Sequence, residues 1–219
     1  MKLVIGNKNY STWSLRPWLL LSAFGLEFEE QQESLLNEGL TARLAKHSPT
    51  SKVPVLVDGA LTVWDSLAIC EYLSEQYLDG RGWPADPQSR ATARALCCEM
   101  HAGFAALRNE LPMNCRASRR VHMSPDAAKD IARIDAIWSG YTRQNAVAGP
   151  WLFGDFSIAD CFFAPVALRF KTYGVALSGQ AQAYADRLLH HQHVVAWVQS
   201  AKAETEVIAE DEAGTDEIA

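Results

Sequence analysis

Along the first eighty residues the apolar positions fall into short clusters with different spacings. Leu3, Val4 and Ile5 form a continuous apolar run inside residues 2–6, short enough for a buried strand. A polar stretch over 7–12 separates it from Trp18-Leu19-Leu20-Leu21, which runs on to Gly25. Proline fits only the first turn of a helix, so Pro17 predicts a helix beginning near Ser14 and ending before Gly25. Residues 28–34 alternate weakly, as a second strand would, and 38–47 predict a short irregular helix. Residues 53–57 and Leu61–Trp64 flank Asp58-Gly59, a strong hairpin signal. Leu67, Ile69, Cys70, Leu73 and Tyr77 then fall at helical spacing within Ser66–Tyr77. The predicted order is βαβαββα: a parallel unit, an antiparallel hairpin and a closing helix, a compact α/β sandwich.

Beyond Tyr77 the pattern changes. Residues 79–87 are dense in Gly, Pro and Asp and read as a linker. After it, helical patterns cover 88–111, 125–147, 158–173, 180–190 and 194–203, with no convincing strand. The fold class is therefore α/β plus all-α: an α/β domain over 1–79, an all-helical domain over 88–203, and an acidic, mobile tail over 204–219.

Composition narrows the partners. With 219 residues, 48% hydrophobic and 21% charged, the chain has an ordinary globular balance. Its net charge of −6 argues against nucleic acid as a partner. The local basic cluster Arg116, Arg119, Arg120 and His122 reads as a solvated loop rather than an anion site. No signal-peptide pattern opens the sequence, and no stretch reaches the roughly 20 apolar residues of a membrane span. The five cysteines form no Cys-x-x-Cys and no zinc spacing, so they read as reduced core residues of a cytoplasmic protein.

The first strand-to-helix corner carries Ser11-Thr12-Trp13-Ser14. Free N–H groups and the helix dipole favour negative charge there. The spacing is Ser-x-x-Ser where a redox domain of this topology has two cysteines, so disulfide exchange by protein thiols is not expected. A hydroxyl at this corner can donate to a ligand's thiolate and lower that thiol's pKa; the alternative is plain helix capping. Val53-Pro54 ahead of a buried strand suits a cis bond, which would leave Val53's main chain as an edge for an extended peptide. Asp65 and Ser66, at a helix start, match the ammonium and carboxylate of an α-amino acid, or simply cap the helix.

These three features in this order, with Ser51-Lys52-Val53-Pro54-Val55-Leu56-Val57-Asp58-Gly59 and Asp65-Ser66-Leu67-Ala68-Ile69-Cys70-Glu71-Tyr72-Leu73, resemble the cytosolic glutathione transferases over about residues 1–203. The resemblance implies a thioredoxin-like N-terminal domain, with Val53 and cis-Pro54 pairing with the glutathione backbone. It implies that Asp65 and Ser66 hold the γ-glutamyl end and that Lys52 lies near the glycyl carboxylate. Within the family the corner resembles the serine-type zeta class, with Ser11 on the catalytic serine, Thr12 on the second and Trp13 where that class has cysteine; Ser11 ranks above Thr12 and Tyr10. Gly154-Asp155-Phe156-Ser157-Ile158-Ala159-Asp160 resembles the family's capping motif, in which Ser157 and Asp160 fix a central helix; losing the carboxylate should cost about 1–2 kcal/mol. The second-substrate pocket would draw on Trp13, His101, Phe104, Arg108 and Asn114, with Arg169 matching the zeta arginine that binds a substrate carboxylate. The expected activity is addition of glutathione to an electrophile, with peroxidase activity as a further expectation. The alternatives are a glutathione-dependent cis–trans isomerase and a non-catalytic scaffold of the same fold. Glutathione is a co-substrate, no other cofactor or metal is expected, and the family implies a homodimer with no membrane partner.

Overall fold

The computed structural model describes residues 1–36 and 39–216. Its first unit is a four-stranded sheet in the order β2-β1-β3-β4. β1 (Lys2–Ile5) runs parallel to β2 (Glu29–Gln32) and antiparallel to β3 (Val55–Asp58), which pairs with β4 (Leu61–Trp64). Leu3, Val4, Ile5, Val55 and Leu56 are fully buried, as expected of strands covered on both faces. The hairpin turns at Asp58-Gly59, with Gly59 at φ +59°, and α3 (Ser66–Tyr77) closes the unit.

α1 (Thr12–Ala23) begins two residues earlier than the proline suggested, so Pro17 lies inside the helix. Its ring cannot donate to the turn before it, which leaves one carbonyl of that turn unbonded by the helix. Burial compensates: α1 packs on α3, on α7 (Ile158–Thr172) and on α9 (Gln192–Ala203). The short helix expected over 38–47 is α2 (Leu40–Leu44); Glu38 lies outside the described residues.

The second unit is helical: α4 (Pro87–Ala102), α5 (Ala105–Glu110), α6 (Pro125–Gln144), α7, α8 (Gly179–His190) and α9. The single helix predicted over 88–111 is broken. Gly103 is extended and Phe104 sits at φ +57°, and the chain restarts as α5, where Asp130 accepts from the Leu107 N–H at 3.0 Å. Asp160 anchors α7 from within the core. Its carboxylate accepts from Ser157 N (2.9 Å), Ser157 Oγ (3.0 Å), Leu152 N (3.3 Å) and Tyr184 Oη (2.8 Å).

The acidic tail expected over 204–219 is described as far as residue 216; residues 217–219 lie outside the described residues. Residues 204–216 fold back over the β1–α1 loop, form a 3-10 turn at Ala209–Asp211, and end in β6 (Thr215–Asp216), paired with β5 (Arg119–Arg120). That two-stranded ladder is also absent from the sequence reading. Its charges explain it: Arg116 and Arg119, expected in solvent, meet the tail's main-chain carbonyls and the carboxylates of Glu212 and Asp216.

Candidate active site

Between the two units opens a cleft of about 430 Å³, lined by Trp13, Thr50, Lys52, Val53, Pro54, Trp64, Asp65, Ser66 and His101. The peptide bond before Pro54 is cis. The N–H and C=O of Val53 bond to nothing among the described residues, so a peptide-like edge faces the cleft. Asp65 is held at φ +75°, a conformation few L-residues adopt, and its Oδ1 caps α3 by accepting from Leu67 N (2.8 Å) and Ala68 N (3.3 Å). The plain capping role therefore belongs to Asp65. Ser66, almost fully buried, receives Arg16 Nη1 at 3.4 Å.

At the corner, Ser11 makes no side-chain cap to α1. Its hydroxyl donates to Ser14 Oγ at 2.7 Å, and Ser14 Oγ also accepts from the Gly6 N–H at 3.1 Å. Capping is thus not what Ser11 does. The N–H groups of Trp13 and Ser14 meet no acceptor among the described residues, leaving the positive end of α1 with open donors. Ser11 and Thr12 are buried and stand outside the cleft lining, two residues and one residue along the chain from Trp13. Tyr10 is turned away: its hydroxyl donates to Glu212, accepts from Arg116 Nη2 at 2.8 Å, and burial with that carboxylate raises its pKa.

His101 closes the cleft from the helical unit, with Nε2 3.0 Å from Asp65 Oδ2 and its ring edge-on to Trp13 at 5.0 Å. Burial holds its pKa below the ordinary value, opposed by Asp65 and reinforced by Arg16 and Arg108. Near neutral pH it is a neutral imidazole giving its Nε2 proton to Asp65. This contact was not legible in the sequence, where His101 and Asp65 are read for different subsites. Also unforeseen was Arg16. Its guanidinium is buried between Trp13 (4.3 Å) and Phe162 (4.4 Å), its Nε has no partner, and desolvation pulls its pKa down to about 9.

The remaining residues assigned to the second-substrate pocket lie outside the cleft. Arg108 donates to the carbonyls of His101 (3.1 Å) and Gly103 and lies 5.5 Å from the Trp13 ring, bracing the break after α4. Phe104 is buried at that break. Asn114 is buried between Asn9 and Glu212. Arg169 is buried on α7, where it donates to the carbonyls of Arg108 (3.1 Å) and Leu111, so it presents no guanidinium to a carboxylate in the cleft.

A thioredoxin-like sheet and cis-Pro edge, a hydroxyl-bearing helix start and an appended helical bundle define a class of thiol-binding two-domain proteins. Comparison with known proteins gives the family. Residues 10–76 match the model for the glutathione S-transferase N-terminal domain. The chain is 37% identical over 171 residues to glutathione S-transferase 1 of Dianthus caryophyllus, covering 75% of each. It is 30% identical over 176 residues to maleylacetoacetate isomerase of Rattus norvegicus, covering 77% of this chain and 78% of the relative. A glutathione transferase homologue from Burkholderia BGR1, solved with bound glutathione, superposes with a TM-score of 0.70 at 25% identity, over 93% of this chain and 98% of that one. The chain belongs to the glutathione S-transferase family.

Proposed function

We propose that the cleft binds glutathione and that the corner ionises its thiol for addition to an electrophile. One observation carries this reading: the unbonded Val53 edge, the Asp65–Ser66 pair and Trp13 of the first turn of α1 line a single cleft. The γ-glutamyl ammonium meets Asp65 and its carboxylate meets Ser66, while the cysteinyl backbone lies along Val53 and the glycyl end reaches toward Lys52. The sulfur then lies at the start of α1.

Ser11 acts there through a relay. Its proton turns from Ser14 to the sulfur, and Ser14 Oγ, still holding the Gly6 N–H, donates back to Ser11 across the same 2.7 Å. Each donor strengthens the next, and the thiolate receives a polarised hydroxyl together with the helix N–H groups. Peroxide reduction would use the same thiolate.

The experiment is a glutathione titration following thiolate absorbance, in wild type and Ser11→Ala. Thiolate near neutral pH that disappears in the variant supports the mechanism. Glutathione binding without thiolate sinks the role of Ser11, and no binding sinks the enzyme reading in favour of a scaffold. The rat relative's name raises isomerisation as a second reading; turnover that leaves glutathione unconsumed distinguishes it. The exposed apolar side chains of Leu61 on β4 and Tyr77 on α3 support a homodimer. We place the protein in the cytoplasm.

A further inference from the structure

We propose that the acidic segment 204–212 is a strap that positions the thiol-ionising corner, with Glu204 as its principal contact. The proposal rests on the transferase reading above.

The loop Asn7–Tyr10 joins β1 to Ser11, and although polar it is buried: Asn7 is 1% exposed and Asn9 0%. Buried polar backbone requires partners. They come from the far end of the chain. The Glu204 carboxylate accepts the consecutive N–H groups of Lys8 (2.7 Å) and Asn9 (2.9 Å), and also Gln32 Nε2 at 2.7 Å. Two successive amides aimed at one carboxylate form an anion nest, here filled from within the chain. Glu206 accepts from Asn7 Nδ2 at 3.3 Å. Arg116 fastens the strap in turn, donating to the Glu206 carbonyl at 2.8 Å and to the Glu204 carbonyl.

The loop passes this placement to Ser11. The Ser11 N–H donates to the Asn7 carbonyl at 3.0 Å, and the Thr12 N–H donates to the Tyr10 carbonyl at 2.9 Å. Releasing Lys8 and Asn9 therefore loosens the turn that aims Ser11. None of residues 204–216 lines the cleft, so the strap acts on the corner rather than on bound glutathione. Glu204 is accordingly a positioning residue.

The test uses the full chain with Glu204→Ala and Glu204→Gln. For each, the glutathione dissociation constant, the apparent pKa of the bound thiol and the melting temperature are measured. The expected result for Glu204→Ala is an affinity within about twofold of wild type, with bound thiolate at neutral pH reduced about tenfold, in line with the cost of small misplacements at a reacting centre. Glu204→Gln, which keeps one acceptor, should fall between. A folded Glu204→Ala protein with an unchanged thiol pKa overturns the proposal. If the alanine variant does not fold, an unchanged pKa in Glu204→Gln overturns it equally. A wild type that binds glutathione without ionising it overturns the thiol-ionising role of Ser11 on which the proposal rests, and one that does not bind it overturns the transferase reading itself; both are seen before any variant is made.

Discussion

Ser14 has no contact with the cleft, yet the relay makes it as consequential as Ser11. Replacing it by alanine removes the acceptor of the buried Gly6 N–H and the group that polarises the Ser11 hydroxyl. Ser14→Ala is expected to cost about 1–3 kcal/mol of stability and to raise the bound thiol's pKa; denaturant unfolding and a pH titration of thiolate absorbance read the two effects. His101 predicts a pH dependence of binding. Its pKa is depressed, so it stays neutral until the solution falls below its ordinary range, about 6.5, and then becomes a cation beside the carboxylate that receives the ligand's ammonium. Glutathione affinity should fall on acidification, and His101→Gln should flatten that fall in calorimetric titrations. Asp160 has the opposite kind of consequence. Burial raises its pKa from 3.8 to about 6 despite the donors around it. Because the folded state holds the proton more tightly, its contribution to stability is fully present below about pH 4 and declines as pH rises to about 6. Asp160→Asn should remove that slope from the pH dependence of unfolding, while lowering stability because its amide faces main-chain N–H groups.

The break between α4 and α5 places the helical unit's contribution to the cleft. A Cβ on Gly103 would lie 2.7 Å from the Glu99 carbonyl, which is main chain and cannot move aside. Gly103→Ala is expected to lose about 1–3 kcal/mol and to raise KM for the electrophile more than for glutathione, as steady-state kinetics will show. Neither the break nor the position of Pro17 was legible in the sequence, for related reasons. Apolar spacing runs on through Phe104, Leu107 and Leu111, so the pattern reads as one helix. A proline six residues into α1 is tolerated only because the helix is buried by neighbours that the local sequence does not reveal. By contrast, β3, β4 and α3 were readable almost to the residue, since Asp58-Gly59 dictates a turn and the spacing of Leu67, Ile69 and Leu73 dictates a face. Lys52, Val53, Pro54, Asp65 and Ser66, singled out by the same local chemistry, line one cleft. The electrophile side did not: Arg108, Asn114 and Arg169 have residue types suited to ligands, but each is committed to carbonyls or side chains by the packing of separate elements.

At the scale of the whole molecule, the outer faces of β4 and α3 carry apolar side chains that a single chain leaves in water. Sedimentation at micromolar concentration should give twice the mass of the chain, and Leu61→Glu should shift that equilibrium toward the monomer by placing a charge on the face. The folded-back strap has a consequence for biosynthesis. Lys8 leaves the ribosome early, and its partner Glu204 follows 196 residues later. Early strands and helices can pair as they emerge, but the loop ahead of Ser11 has no acceptor for its amides until translation has passed the last helix. A nascent chain arrested at residue 203 would hold the sheet and the bundle with an unfinished corner. If the strap positions the corner as proposed, a chain cut at residue 203 should bind glutathione but ionise it poorly.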